Sequence, residues 1–160
     1  MNSDAFNFIA ILGQLSLREI GQYHLIFFYF PIILFTGALI ADILNYFGYT
    51  RAFKFGNWLI ICGVIACMPT LFTGLAAAFS FDQTNPILLK HQSLGYATAI
   101  SGSFYAGIRI STMFWKLPLL PSHYMGLSLL LVALVTWTCD YGGLLTYGSP
   151  LLHQKMQEKG

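Results

Sequence analysis

The sequence predicts an all-α integral membrane protein, a four-helix bundle preceded by a short N-terminal interfacial helix. Hydrophobic residues make up 56% of the 160 residues and charged residues only 9%, whereas an ordinary soluble domain has about 25% charged residues. The apolar residues fall into four stretches, each long enough for a spanning helix of about 20 residues. A net charge of +2 is too small and too scattered to indicate nucleic-acid binding.

Residues 1–22 are predicted to be an interfacial segment and not a signal peptide. The segment lacks the basic residues with which a signal peptide begins, and Asp4 lies near the terminus. Arg18 and Glu19 follow a short apolar stretch. Five apolar residues would form one face that rests on the membrane surface or on a partner. They are Phe6, Phe8, Ile9, Leu12 and Leu15.

Residues 23–148 are predicted to form one domain of four membrane-spanning helices, since no linker or change of composition divides the chain. The spans cover about residues 25–44, 57–79, 91–113 and 123–147. Pro31 interrupts the first span and Pro69 the second, while the third is the most polar and contains Arg109. A polar tail, residues 149–160, follows the domain.

Four spans place both termini on one side of the lipid bilayer, together with the loop between the second and third spans. The other two loops contain Arg51, Lys54 and Lys116 and no acidic residue. Basic residues in short loops favour the cytoplasmic side. We therefore expect a multi-pass protein whose termini lie outside the cytoplasm.

Two pairs of ionisable residues repeat one spacing in the first and third spans. Asp42 lies eighteen residues after His24, and Arg109 lies eighteen residues after His91. Eighteen residues make five helical turns, about 27 Å, so both members of a pair lie on one helix face. Since both spans begin on the same side, one arrangement brings His24 to His91 and Asp42 to Arg109.

Ionisable residues within a membrane are costly and are functional candidates. For Asp42 and Arg109, a structural ion pair is the first interpretation, because it neutralises two charges and fixes the register of the helices. The alternatives are a proton route and a cofactor carboxylate bound by Arg109.

His24 and His91 are predicted to be metal ligands, because facing neutral imidazoles are good axial ligands for the iron of haem b. Gly74 and Gly142 would let a flat macrocycle approach the backbone, and Asp140 would hydrogen-bond a ligand histidine. In the alternative, both histidines are interfacial residues, the glycines serve helix packing, and Asp140 is interfacial too.

Catalytic motifs are missing from the sequence. It contains no HExxH, nucleotide-binding loop or hydrolytic triad at usable spacing. It also lacks CxxCH, which excludes covalent c-type haem within this chain, and its three cysteines lie in apolar stretches where they are typical of packing. We expect an electron-transfer subunit without a catalytic site of its own.

Short motifs recur in order along the chain. They are HLIFFYFP at His24–Pro31, Thr73-Gly74-Leu75, the histidine His91, and Gly142-Gly143-Leu144 with Tyr147 and Gly148. Over about residues 22–150 this order resembles the domain-of-unknown-function 2231 family of predicted four-helix bacterial membrane proteins. Two positions depart from that family's opening H-P-x-x-V-H-F-P, since Leu25 replaces its proline and Tyr29 its second histidine.

The resemblance implies a location in the bacterial inner membrane and a redox role outside the cytoplasm, because family members often occur with cytochrome c domains. A c-type cytochrome is then an expected partner, and Tyr29 joins Asp140 as a candidate neighbour of the haem ligands. This implication rests on the analogy with the family and not on the chemistry of a site in this chain.

Three functions compete. The first is a b-type cytochrome subunit that relays electrons between a quinone and a c-type carrier in a respiratory or other electron-transfer complex. The second is a haem-free accessory subunit that packs against the other subunits of a larger membrane complex. The third, a small transporter or channel, is weaker, because the sequence shows neither an inverted repeat nor paired broken helices.

Overall fold

The computed structural model describes residues 17, 19–115 and 120–148, and none of these residues forms a strand. The helices are α1 (His24–Phe27), α2 (Tyr29–Tyr46), α3 (Thr50–Ala78), α4 (Pro86–Trp115) and α5 (Pro121–Tyr147). Only Phe28 separates α1 from α2, and together with the residues before them they form one helical run, Glu19–Tyr46. The predicted interfacial face of residues 6–15 and the tail 149–160 lie outside the described residues.

The helices begin and end at residues with a local reason to do so. Asn85 accepts a hydrogen bond from the backbone N–H of Ile87 at the start of α4 (2.9 Å), which satisfies a donor that the helix leaves free. Pro121 begins α5, where a missing N–H costs nothing. Gly48 (φ 96°) lies in the turn between α2 and α3, and Gly148 (φ 70°) ends α5, both in the left-handed region that glycine tolerates.

The four long helices pack as a ring in chain order. Helix α2 packs against α3 and α5, and α4 packs against the same two helices. Among the described residues, α2 and α4 therefore lie diagonally across the bundle axis. Side chains that point inward from these two helices meet at the centre of the bundle.

The outer surface of the bundle is apolar. Phe55, Trp58, Phe72, Phe104 and Trp137 are among the large exposed side chains. Three segments are long and apolar enough to cross a membrane: Glu19–Tyr46, Thr50–Ala78 and Pro121–Tyr147. The structure confirms the predicted all-α membrane bundle.

Helix α4 is as long as its neighbours, but it is more polar and is not among the three segments that are apolar enough to cross a membrane. Its buried polar side chains, Thr98 and Arg109, lie inside the bundle. Polar groups that face the bundle interior are the usual arrangement for helices in lipid. Part of the polarity of α4 therefore lies in the interior, whereas Ser93 and Ser103 are exposed and donate hydrogen bonds to carbonyls of their own helix.

Phe35 fills the middle of the bundle and separates its two ends. The ring is fully buried, and a Cβ atom at Gly63 would overlap it, while one at Gly102 would lie 3.4 Å from its Cζ atom. Glycines on α3 and α4 therefore make room for this ring. The histidines lie at one end of the interior, and Asp42 and Arg109 lie at the other.

Candidate functional site

Two imidazole rings meet at the end of the bundle that carries the α3–α4 loop. His24 in α1 and His91 in α4 have ring centroids 6.1 Å apart, and the ring planes are nearly perpendicular at 83°. The predicted approach of these two residues is thus present in the structure. It follows from the diagonal placement of the first and third long helices.

A backbone carbonyl fixes each ring. The Nδ1 atom of His24 lies 3.0 Å from the Thr70 carbonyl oxygen, and the Nδ1 atom of His91 lies 2.9 Å from the Thr138 carbonyl oxygen. A carbonyl oxygen can only accept a hydrogen bond, so Nδ1 carries the proton in both rings. The neutral imidazole then has its lone pair on Nε2, which is the form that binds a metal ion.

Gly74 and Gly142 lie against the imidazole rings. A Cβ atom at Gly74 would be 2.9 Å from Cε1 of His24, and one at Gly142 would be 3.1 Å from Cε1 of His91. The sequence predicted that these glycines would admit a macrocycle. In the structure, the rings of His24 and His91 occupy the space beside these glycines.

Both histidines line a cavity of about 520 Å³ whose walls come from all four long helices. Such a volume lies within the range of about 300 to 1,000 Å³ typical of cofactor sites. Tyr29 is also part of the wall. Asp140 is exposed and does not line the cavity, so the structure does not bring it to either histidine.

The separation of the two rings matches that of the ligands in a bis-imidazole haem. Two metal–imidazole bonds of about 2.0 Å each, extended to the ring centres, place the centroids of opposite ligands roughly 6 to 6.5 Å apart, and the observed separation is 6.1 Å. No cluster of three or more His, Cys, Asp or Glu exists among the described residues. Haem is a metal group that needs only two protein ligands, because its macrocycle supplies the other positions.

Asp42 and Arg109 form an ion pair at the opposite end of the interior, and both side chains are fully buried. Arg109 also donates to the Asn57 side-chain oxygen (2.9 Å), and Asp42 accepts from the hydroxyls of Tyr105 (3.1 Å) and Ser128 (2.6 Å). Asp42 belongs to α2, Asn57 to α3, Arg109 and Tyr105 to α4, and Ser128 to α5. One polar network therefore ties all four long helices together.

Aromatic faces surround the Arg109 guanidinium. Its central carbon lies 5.3 Å from the ring centroid of Phe53, 4.9 Å from that of Tyr105 and 4.6 Å from that of Tyr124, which is the geometry of cation–π attraction. Neither member of the ion pair lines the histidine cavity. Arg109 is therefore not placed to bind a carboxylate of a cofactor in that cavity, and its contacts with Asp42 and Asn57 are those expected of a structural ion pair.

Sequence reasoning missed the groups that hold the predicted residues. The carbonyls of Thr70 and Thr138 are backbone atoms, which no side-chain pattern reveals, although each threonine stands four residues before a glycine that had been singled out. Asn57, Tyr105 and Ser128 were missed because single polar residues in a long apolar sequence carry little signal. Only Tyr105 could have been identified from the sequence, because it lies four residues before Arg109 and therefore on the same helix face.

Comparison with known proteins places the chain in a family. No curated protein and no solved structure matches it. A family model described as "Predicted membrane protein (DUF2231)" matches residues 22–153, which confirms the resemblance seen in the sequence motifs. The chain therefore belongs to the DUF2231 family of predicted membrane proteins.

Proposed function

We propose that the chain is a b-type cytochrome subunit of a membrane electron-transfer complex, with His24 and His91 as the axial ligands of one haem b. The observation that carries the proposal is the pair of imidazoles, 6.1 Å apart in a mostly apolar cavity, each with Nδ1 on a backbone carbonyl and with no hydrogen-bond partner for Nε2 among the described residues. Haem b supplies one-electron redox chemistry when it is bound.

The chain's own residues set the conditions for that chemistry. The imidazoles of His24 and His91 would hold the haem iron from helices α1 and α4, and the same two ligands would serve both oxidation states. The Thr70 and Thr138 carbonyls accept the Nδ1 protons and make the ligands more basic, which favours the ferric state. The wall of the cavity is mostly apolar, which would keep the local dielectric low.

The position of the site suggests where electrons enter and leave. The cavity wall includes Phe81, in the α3–α4 loop, and Tyr147, the last residue of α5. The site thus lies near the membrane surface that carries this loop. Under the orientation expected from the loop charges, a c-type cytochrome outside the cytoplasm would accept electrons there, and a quinone in the bilayer would donate them.

A reduced-minus-oxidised visible spectrum of the protein purified from its native membrane tests the proposal. We expect a b-type α-band in the wild type, its loss in His24→Ala and in His91→Ala, and its retention in His123→Ala. His123 is the matched control, because it is an exposed histidine at the start of α5. A pyridine haemochrome assay should give one haem b per chain.

Electron paramagnetic resonance of the oxidised protein tests the ligand geometry separately. Nearly perpendicular imidazole planes, at 83°, should give the low-spin ferric signal with a single large g value and not the rhombic signal of parallel planes. A wild-type spectrum without any haem band would refute the proposal. If the same preparation contained stoichiometric partner subunits, the haem-free accessory role would take its place.

A further inference from the structure

We propose that the chain contains two equivalent half-sites, one in each helical hairpin, and that Gly74 and Gly142 are the positioning residues that orient the ligands. A half-site here means a histidine, the threonine carbonyl that it contacts, and the glycine four residues after that threonine. The first hairpin is α1 to α3 and the second is α4 with α5. This inference rests on the proposed function and explains how the chain prepares both axial ligands.

The two half-sites repeat in sequence and in geometry. His24 and the Thr70 carbonyl are 46 positions apart and 3.0 Å apart in space, whereas His91 and the Thr138 carbonyl are 47 positions and 2.9 Å apart. In each hairpin the histidine lies near the start of the first helical run, and the threonine lies near the end of the returning helix. The repeat extends to the other end of the bundle, because Asp42 and Arg109 occupy corresponding places 67 positions apart.

Helix geometry explains the threonine–glycine spacing. A side chain on a helix points toward the helix N-terminus and covers the preceding turn. The residue four positions after Thr70 would thus cover the Thr70 carbonyl, which already accepts one helical hydrogen bond and has a second lone pair to offer. Only glycine leaves that carbonyl open to an imidazole from a neighbouring helix.

The measured contacts agree with this role. A methyl group at Gly74 would lie 2.9 Å from Cε1 and 3.2 Å from Nδ1 of His24. A methyl group at Gly142 would lie 3.1 Å from Cε1 and 3.4 Å from Nδ1 of His91. Each added methyl group would push the ring off its carbonyl, and the proton would then be free to move from Nδ1 to Nε2.

The proton position decides whether a ring can bind a metal ion. An imidazole with its proton on Nε2 has no lone pair to direct into the cavity from that atom. The carbonyl contact holds the proton on Nδ1, so the half-site selects the ligand-competent tautomer before any cofactor arrives. A carbonyl holds each ring in this way, and in the first half-site the Thr73 hydroxyl also lies 3.4 Å from Nδ1 of His24.

Gly74→Ala and Gly142→Ala test the inference, with Gly126→Ala as the matched control. Gly126 lies on α5, the helix of Gly142, and a Cβ atom there would have no neighbour within 4 Å. We expect each of the two test variants to bind haem about 10- to 100-fold more weakly than the wild type, the usual effect of losing the outer partner of a metal ligand. The haem that remains should have a higher midpoint potential, because its ligand is less basic.

Nitrogen-15 NMR of the histidines in the wild-type protein as isolated gives a second measurement that needs no variant to fold. The expected result is a proton on Nδ1 of both His24 and His91. Protons on Nε2 would overturn the inference. It would also be overturned if the wild type bound haem and both test variants matched Gly126→Ala in affinity and midpoint potential. A wild type without haem but with both protons on Nδ1 would refute the proposed function and leave the half-sites standing.

Discussion

Removal of one partner from the buried ion pair should cost far more than removal of both. Arg109→Leu leaves the Asp42 carboxylate fully buried, and among the described residues its remaining donors are the hydroxyls of Tyr105 and Ser128. It also deprives the Asn57 oxygen of its donor. Breaking a buried pair in this way costs about 3 to 5 kcal/mol, and we expect the free energy of unfolding to fall by that amount.

Asp42→Leu should have a similar cost for a different reason. The guanidinium of Arg109 keeps the Asn57 oxygen and the aromatic faces around it but loses the carboxylate with which it pairs in the described part of the chain. In the double variant neither charge remains, so no uncompensated ion is buried. We expect the double variant to lose no more than either single one, with a coupling energy of about 3 kcal/mol or more.

The assay is denaturant unfolding in a mild detergent, followed by circular dichroism, on the wild type, the two single variants and the double variant. Lys90→Leu is the control for a change of net charge, because Lys90 is exposed. If the effects of the two single variants add in the double variant to within about 0.5 kcal/mol, the two residues are independent. The ion-pair reasoning would then be wrong.

Three further results are expected. Since imidazoles occupy both axial positions in the proposed haem site, carbon monoxide should leave the spectrum of the reduced protein unchanged, and a shifted Soret band would contradict this ligation. In the α3–α4 loop, the backbone N–H and the hydroxyl of Thr84 donate to Asp82 and lower the pKa of that carboxyl. The loop is therefore stabilised above the unfolded-state pKa, and this contribution is lost as the pH falls through the lower folded-state pKa. Carbon-13 NMR titration should show the pKa of Asp82 rising toward its ordinary value in Thr84→Ala, and an unchanged pKa would contradict the assignment. Gly63→Ala, whose methyl group would overlap the Phe35 ring, should lower the midpoint of thermal unfolding, whereas Gly107→Ala, which meets nothing within 4 Å, should not; equal midpoints would contradict the packing argument.

Hydropathy was sufficient for the class of fold but not for the helix ends. The second span was predicted to begin at residue 57, and helix α3 begins at Thr50. Likewise, α4 begins at Pro86, ahead of the predicted start at residue 91. An apolar stretch marks the part of a helix that lies in hydrocarbon, whereas backbone hydrogen bonds continue the helix through the interface as far as a turn residue.

The eighteen-residue spacing was the most informative feature of the sequence. It placed His24 with Asp42, and His91 with Arg109, on two helix faces, and the structure brings both pairs of residues together. What the spacing could not reveal was the support around each pair. The roles predicted for Gly74, Gly142 and Asp140 depended on depth, which does not fix the direction in which a residue points. Tyr29 became a candidate only through the family resemblance, and it does line the cavity.

The opposite charges of Asp42 and Arg109 also make the two hairpins unequal partners. Because these residues hold corresponding places in the repeat, two copies of the first hairpin brought together from different chains would bury a pair of carboxylates. Two copies of the second would bury a pair of guanidinium groups. Either pairing would be expensive in lipid, so the two charges favour the pairing of a first hairpin with a second one.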